Sequence, residues 1–190
     1  RVVEGSAFVA APLCGMTLAQ MGADVIRFDL PGGGIDYRRW PMAHTGLSIY
    51  WASLNKGKRS LVVDFRQPEG QELLSELITA PGDGRGILST NFPMHGWLDY
   101  ETLKMRRNDL IAMNIIGNPD GSVAVDYTVN SAVGFPFVTG EGAEEAPVNH
   151  VFPGWDVSTG YAAAMGILAA ERHRYLTGEG QHVKLSLADV

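Results

Sequence analysis

Residues 1–28 have the sequence RVVEGSAFVAAPLCGMTLAQMGADVIRF, and this stretch decides the fold class. Its start, Arg1 to Glu4, has the apolar character of a short buried strand, and Pro12 to Met21 carries apolar residues at helical spacing. Gly22 ends that helix, and residues 23–28 form a second strand. A strand, a helix and a strand within about thirty residues make a βαβ unit, which predicts a parallel sheet with a right-handed crossover.

Further strands and helices alternate along the rest of the chain. Strands are predicted at 60–64, 86–89, 110–116 and 182–187, and helices at 48–54, 68–78, from Asp99 onward, and at 159–175. The continuous apolar run of 110–116 is typical of a strand with both faces covered. Residues 123–140 are predicted as loop with a short helix, and 141–147 as an acidic turn. The predicted fold class is α/β, a Rossmann-like parallel sheet with flanking helices.

The composition indicates a globular protein and argues against several kinds of binding partner. The 190 residues are 45% hydrophobic and 19% charged, which is enough apolar material for a core. A net charge of -6 without a long basic run argues against nucleic acid as a partner. No segment is apolar enough to cross a membrane, and the single Cys14 suits a reducing cytoplasm. The five histidines lack metal-ligand spacing, so no metal site is predicted.

One acidic residue stands at the mouth of the last predicted helix. Asp156 lies just before that helix, and Ser158 or Thr159 is expected to cap the helix and leave Asp156 free. Near a helix N-terminus its pKa is expected to stay low, because the positive end of the helix favours the anion. A carboxylate anion can attack a thioester carbonyl. The alternative is that Asp156 only caps the helix.

Two basic segments are candidates for binding an anion. Residues 55–60, NKGKRS, place Lys58 and Arg59 before a strand, where they would hold a phosphate or form a solvated turn. Arg38 and Arg39 come directly before an aromatic residue, and this pair suits a carboxylate, a stacked base or ordinary surface ion pairs. The glycines at 32–34 open no helix, which argues against a dinucleotide site.

Several segments together resemble the class III CoA-transferase family over nearly the whole chain. They are LAQMGADVIRFD at 18–29, NKGKRSLVVD at 55–64, Asn91-Phe92 with LDYETL at 98–103, and TGEGQHV at 177–183. The resemblance implies an interlinked homodimer acting on acyl-CoA, with CoA as part of the substrate and no tightly bound cofactor. It implies that Asp156 is the nucleophile and that transfer proceeds through an aspartyl-acyl anhydride and an aspartyl-CoA thioester. The residues implied to contact CoA are Lys58, Arg59, Asn91 and Phe92.

Two departures from the family pattern bear on the reaction. Asn91-Phe92 is followed by Pro93, where the family often has an arginine. Val125 stands where racemases of the same fold carry a catalytic histidine, which favours transfer over racemisation. Residues 125–136 and 150–156 most resemble members that move CoA between the two carboxyl groups of mesaconate, with Arg38 or Arg39 suited to the free carboxylate. An intermolecular transferase, a racemase and a non-catalytic CoA- or nucleotide-binding module are the alternatives.

The ends of the sequence are typical of a piece of a longer protein. It begins with Arg1 rather than Met, and an ordered pattern continues to Val190. We expect residues 1–190 to be the N-terminal part of a CoA-transferase large domain, truncated at both ends. The family's small domain, its C-terminal return and the glycine-rich flap over the site would then lie outside this stretch. The stretch alone is therefore expected to be inactive.

Overall fold

The computed structural model describes residues 1–140 and 146–190, and these form an α/β fold around one parallel sheet. Most of the acidic turn predicted for 141–147 therefore lies outside the described residues. The strands are β1 Val2–Gly5, β2 Val25–Asp29, β3 Arg59–Val62, β4 Ile87–Thr90, β5 Ile111–Ile116 and β6 His182–Ser186. Their order across the sheet is β3-β2-β1-β4-β5-β6. The predicted parallel sheet and its opening βαβ unit are confirmed.

Helices cover both faces of the sheet. They are α1 Ala10–Gln20, α2 Ile49–Leu54, α3 Pro68–Thr79, α4 Tyr100–Lys104, α5 Asp126–Ala132, α6 Phe135–Val138 and α7 Gly154–Thr177. Apolar residues of α1, α5 and α7 pack on one face, and those of α3 and α4 pack on the other. No helix among the described residues combines the length and the apolar character needed to cross a membrane.

Two predicted helix termini, the start of α4 and the end of α7, are confirmed, but the predicted start of α7 is wrong. The Asp99 carboxylate caps α4 by accepting a hydrogen bond from the Thr102 backbone N–H at 3.1 Å. Gly178 ends α7 with a φ of 78°, a left-handed conformation that favours glycine. However, α7 begins at Gly154 rather than at Thr159. Asp156 consequently lies inside the first helical turn and not in front of it.

Helices α1 and α7 approach each other closely at Gly160. A Cβ at this position would lie 2.9 Å from both the Ala10 carbonyl oxygen and the Leu13 Cβ, closer than real contacts allow. Because α1 follows β1 directly, this contact fixes the start of α7 beside the carboxyl end of β1.

The strand order reverses between β1 and β4, since the chain builds outward from β1 on one side and from β4 on the other. In open parallel sheets, ligands bind in the crevice beyond the carboxyl ends of the strands at such a point. Asn91 joins the two strand ends here: its Oδ1 accepts from the Ala7 N–H at 3.0 Å, and its Nδ2 donates to the Ala7 carbonyl at 2.9 Å. The fold thus places a crevice at this edge of the sheet.

Candidate functional site

A cavity of about 650 Å³ occupies this crevice. Its lining includes Phe8, Arg39, Tyr50, Asn91, Phe92, Asn114, Val125, Asp126, Asp156 and Leu187. The size is within the range of small-molecule sites. Of the residues predicted from the sequence, Asp156, Arg39, Asn91 and Phe92 therefore meet around one space, whereas Lys58, Arg59 and Arg38 are not among its lining residues.

The first turn of α7 is capped by a residue from another helix. Its N-cap position is held by Pro153, which has no polar side chain, and neither Ser158 nor Thr159 caps the helix. Instead, Asp126 Oδ2 accepts hydrogen bonds from the backbone N–H groups of Trp155 at 2.9 Å and Asp156 at 3.1 Å. The capping alternative for Asp156 is therefore wrong, because Asp126 performs that function and leaves the Asp156 carboxylate available to the cavity.

The environment of the Asp156 carboxylate favours its ionised form less than the sequence indicates. Burial, with a further contribution from the nearby Asp126 charge, raises the pKa of Asp156 to about 6, and Arg39 opposes this shift. The expectation of a low pKa is thus corrected: desolvation outweighs the helix end, whose first N–H groups are occupied by Asp126. With a pKa near 6, Asp156 is still mostly ionised at neutral pH. An anion this poorly stabilised is a better nucleophile than a solvated one.

A second group of polar residues lies at the same cavity, where Arg39 and Tyr50 line the wall. The Arg39 guanidinium lies 4.6 Å from the centre of the Tyr50 ring and donates to Asp36 Oδ1 at 3.1 Å. Buried Asp36 also accepts from the Phe8 backbone N–H at 2.5 Å. Phe8 has a φ of 65°, a conformation that is strained for a bulky residue and that collects at ligand sites. Asp36 therefore fixes both a strained turn after β1 and the guanidinium beside it.

The other predicted CoA contacts at the cavity are Asn91 and Phe92. The Asn91 amide is engaged with Ala7, so it shapes the wall by joining the strand ends. Phe92 packs edge-on against Phe28 with ring centres 6.2 Å apart, and it also lines the cavity. Their contact with CoA remains a prediction that these positions favour.

Lys58 lies in the interior of the fold. Its ammonium group donates to Glu4 Oε1 at 2.7 Å, to the Pro12 carbonyl at 2.8 Å and to Asn55 Oδ1 at 2.9 Å. These bonds use all three of its donors. It belongs to a buried group that we call the Glu4 cluster: Glu4, Ser6, Arg27, Asp29, Asn55 and Lys58. In this arrangement Lys58 has no donor left for a phosphate, which argues against its predicted contact with CoA.

The two remaining predicted cations lie away from the cavity. Arg59 is the first residue of β3, at the amino edge of the sheet, where it pairs with Asp24 at 2.9 Å. A residue that precedes a parallel strand lies at the edge opposite the crevice, which explains why the basic turn misses the cavity. Arg38 is exposed, and only its neighbour Arg39 lines the cavity.

Sequence reasoning missed three residues of the site. Asp126 lies in segment 125–136, which carries the family resemblance, but no function is predicted for it, and Asp36 and Tyr50 belong to no motif. Its place in that segment is the sequence signal for Asp126. Its burial, at 4% exposed, is uncommon for a carboxylate but is seen only in the structure. Among the described residues, no group of three His, Cys, Asp or Glu side chains is placed to hold a metal ion.

Comparison with known proteins gives a consistent result. The model of CoA-transferase family III matches residues 1–190. The chain is 62% identical over its whole length to 2-methylfumaryl-CoA isomerase of Chloroflexus aurantiacus, of which it covers 47%, and 35% identical to succinate–glutarate CoA-transferase of Agrobacterium fabrum, of which it covers 50%. A CaiB/BaiF family protein from Brucella suis superposes on 99% of the chain with a TM-score of 0.88 and 32% identity, over 52% of its own length. The chain thus spans about half the length of the relatives it matches.

Proposed function

Because the chain belongs to CoA-transferase family III, we propose that the protein containing it moves CoA between carboxylates, with Asp156 as the nucleophile. One observation carries this proposal: Asp156 lines the cavity at the switch point while Asp126 takes over the capping of α7. A desolvated carboxylate with a pKa near 6 is suited to attack a thioester and remains ionised enough to do so at neutral pH.

In the proposed reaction, the acyl group and CoA are bonded in turn to the Asp156 side chain. An Asp156 oxygen attacks the thioester carbonyl, which forms an acyl-aspartyl anhydride and releases CoA thiolate. The thiolate attacks the aspartyl carbonyl of the anhydride, which gives an aspartyl-CoA thioester and a free acid. A carboxylate then attacks that thioester, which forms a second anhydride and releases the CoA thiolate again. The thiolate attacks the acyl carbonyl of this anhydride, which gives the new CoA ester and releases Asp156 as a carboxylate.

The substrate that we favour is mesaconyl-CoA, the CoA ester of 2-methylfumarate. The identity of 62% to a 2-methylfumaryl-CoA isomerase supports it. In the intramolecular reaction, the second attacking carboxylate is the other end of the same acid, held in a closed pocket. Arg39 is the proposed partner of the carboxylate that does not carry CoA, because it lines the cavity and lies close enough to Asp156 to affect its pKa.

Intermolecular transfer is the second candidate, supported by the likeness to a transferase named for succinate and glutarate. Racemisation is disfavoured, because the cavity-lining Val125 has no group that can accept a proton. A module that binds CoA without catalysis would have no use for the raised pKa of Asp156.

The deciding experiment uses the full-length protein with mesaconyl-C1-CoA and isotopically labelled free mesaconate. Mass spectrometry of the CoA esters then separates the candidates. An unlabelled C4 ester establishes intramolecular transfer, and a labelled product establishes the intermolecular reaction. Absence of any new ester and of any exchange would overturn the proposal for this substrate.

We further infer that residues 1–190 are the N-terminal part of a large domain in a homodimer. The chain covers 47% of the length of its 62% identical relative, so a similar length of that relative has no counterpart in residues 1–190. Large apolar side chains on α7 are exposed, among them Met165 at 65% and Leu176 at 64%, and they need a cover. Light scattering of the full-length protein tests the dimer, and a monomeric mass would contradict it.

A further inference from the structure

Tyr50 carries a buried hydroxyl that has no hydrogen-bond partner among the described residues. The side chain lines the same cavity as Asp156 and Arg39. Buried hydroxyl groups nearly always have a partner, since an unsatisfied one loses its bonds to water and gains nothing. The described residues therefore offer no partner for this hydroxyl, and because the Tyr50 side chain lines the cavity, a ligand atom there would supply one.

The ring of Tyr50 is held in a fixed position. Ser48 caps α2 by accepting from the Trp51 backbone N–H at 3.1 Å, and its hydroxyl donates to the Arg39 carbonyl at 2.5 Å. The same arginine lies over the Tyr50 ring at 4.6 Å. The hydroxyl is thus placed by its own helix and by the residue that we assign to the substrate carboxylate.

The charges around Tyr50 determine what it can offer to a ligand. The charges of Arg39, Asp36 and Asp156, together with Tyr127, affect the pKa of its hydroxyl, so these groups lie near it. Burial, opposed by Arg39, raises the pKa of Tyr50 to about 12. The hydroxyl therefore stays protonated at every working pH and is available as a donor. A donor beside a guanidinium is best satisfied by an anionic oxygen.

We propose that the Tyr50 hydroxyl donates a hydrogen bond to the substrate carboxylate that is not bonded to CoA, and that Tyr50 with Arg39 thereby selects diacids over monoacids. This assignment rests on the proposed function. A monoacid of the same shape would bring a methyl group to this place. The Tyr50 hydroxyl would then lack a partner, and the Arg39 guanidinium would keep only its bond to Asp36. Sites of this kind reject such analogues strongly.

The test compares two CoA esters that differ only at that end of the acyl chain. Tigloyl-CoA is mesaconyl-C1-CoA with a methyl group in place of the free carboxylate. Full-length wild type, Tyr50→Phe and the control Tyr175→Phe, at a residue 77% exposed on α7, are each given either ester. Formation of the enzyme–CoA thioester in single turnovers is followed by mass spectrometry, with its dependence on ester concentration.

For Tyr50→Phe we expect the efficiency with mesaconyl-CoA to fall about tenfold to a hundredfold, mainly through weaker binding, because a hydrogen bond to a charged group is lost. Tigloyl-CoA should react within about twofold of wild type, since it never made that bond. Because the hydroxyl has no partner within the described residues, the melting temperature should stay the same or rise. Tyr175→Phe should match wild type with both esters.

Other outcomes overturn the assignment. An equal loss with both esters would mean that Tyr50 assists the reacting carbonyl or only supports the wall, and no loss with either would remove it from the site. A lower melting temperature with unchanged ester preference would assign it to packing. If wild type forms no enzyme–CoA thioester and behaves like Asp156→Asn, the proposed function itself fails, which the wild-type reaction reveals separately.

Discussion

The Glu4 cluster and the cavity are two groups of buried polar side chains, and they differ in how well their members are satisfied. In the cluster, Arg27 forks onto Asp29 at 2.8 and 3.0 Å, and Lys58 uses every donor. Only Glu4 Oε2 lacks a partner there among the described residues, and it faces Gly15. At the cavity, burial and the Asp126 charge disfavour the ionised form of Asp156, with Arg39 opposing them. The Tyr50 hydroxyl there has no hydrogen bond within the described residues.

The polar groups of the Glu4 cluster satisfy one another and stabilise the fold, whereas those at the cavity are free to bind a ligand. Buried ions in good geometry offset most of their desolvation, and removing one partner is destabilising. A buried polar group without a partner lowers the stability of the free protein, and a substrate that satisfies it gains binding energy. Substitutions in the cluster should therefore cost stability, whereas substitutions at the cavity should cost activity.

The largest expected effect is that of Asp156→Asn. Loss of the nucleophile should reduce transfer at least about a thousandfold. The folded-state pKa of about 6 lies above the ordinary value of 3.8, so the native protein binds this proton more tightly than the unfolded chain. Stability is therefore lost as pH rises through about 6. The variant should melt higher than wild type at pH 8, with a gain that shrinks towards pH 4, in calorimetry across this range.

Lys58→Met tests the prediction that substitutions in the Glu4 cluster reduce stability. Removing one partner of a buried ion pair should lower the free energy of unfolding by about 3–5 kcal/mol in denaturant titrations. The exposed neighbour offers a matched control, and Lys56→Met should stay within about 0.5 kcal/mol. A stable Lys58→Met protein with a large increase in the KM for CoA esters would return Lys58 to the CoA site and contradict our assignment.

Arg39→Gln and Arg38→Gln compare neighbours that the sequence does not distinguish. Arg39→Gln should lower kcat/KM for mesaconyl-CoA about tenfold or more, because a charged partner of the free carboxylate is lost. Arg38→Gln, at an exposed position away from the cavity, should change it about twofold or less. Steady-state kinetics with purified full-length variants measure both, and equal losses would contradict the separation of the two arginines.

Asp126→Asn is expected to have the smallest and most specific effect. The amide oxygen of Asn can still accept the two backbone N–H bonds, while the negative charge beside Asp156 is gone. The pKa of Asp156 should fall, so the acid limb of the pH–rate profile should move to lower pH. Asp126→Ala, which loses the cap as well, should also lose about 1 kcal/mol of stability. An unchanged acid limb in Asp126→Asn would show that Asp126 does not affect the ionisation of Asp156.

The sequence predicts the fold well because its signals are local. The βαβ unit, the buried strand at 110–116 and the Asp99 cap each depend on neighbouring residues, and all three are found. The start of α7 was predicted too late because Ser158 and Thr159 are better caps than Pro153 by local preference. The actual cap comes from Asp126, across a separation of 29 residues to Trp155 that no local pattern records.

The site was predictable only in part, for the same reason. Asp156 and Arg39 were among the candidates, but the pKa of Asp156 depends on burial and on Asp126, which are tertiary properties. The basic turn is the densest cluster of cations in the sequence, yet its position before β3 places Arg59 at the opposite edge of the sheet and Lys58 in the interior. Tyr50 has no motif at all, and only its unsatisfied hydroxyl identifies it.

The central pairing of β1 with β4 also affects how fast this chain can fold. Thr90 bonds to the Gly5 carbonyl across a separation of 85 residues, and the cavity wall draws on residues from Phe8 to Leu187. Such distant contacts close long loops. The chain loses conformational entropy when a loop closes, before the contacts stabilise the structure, and folding is slower as a result. During synthesis the pocket cannot be completed until the strand β6 has left the ribosome, so folding intermediates expose an open crevice that chaperones would have to shield.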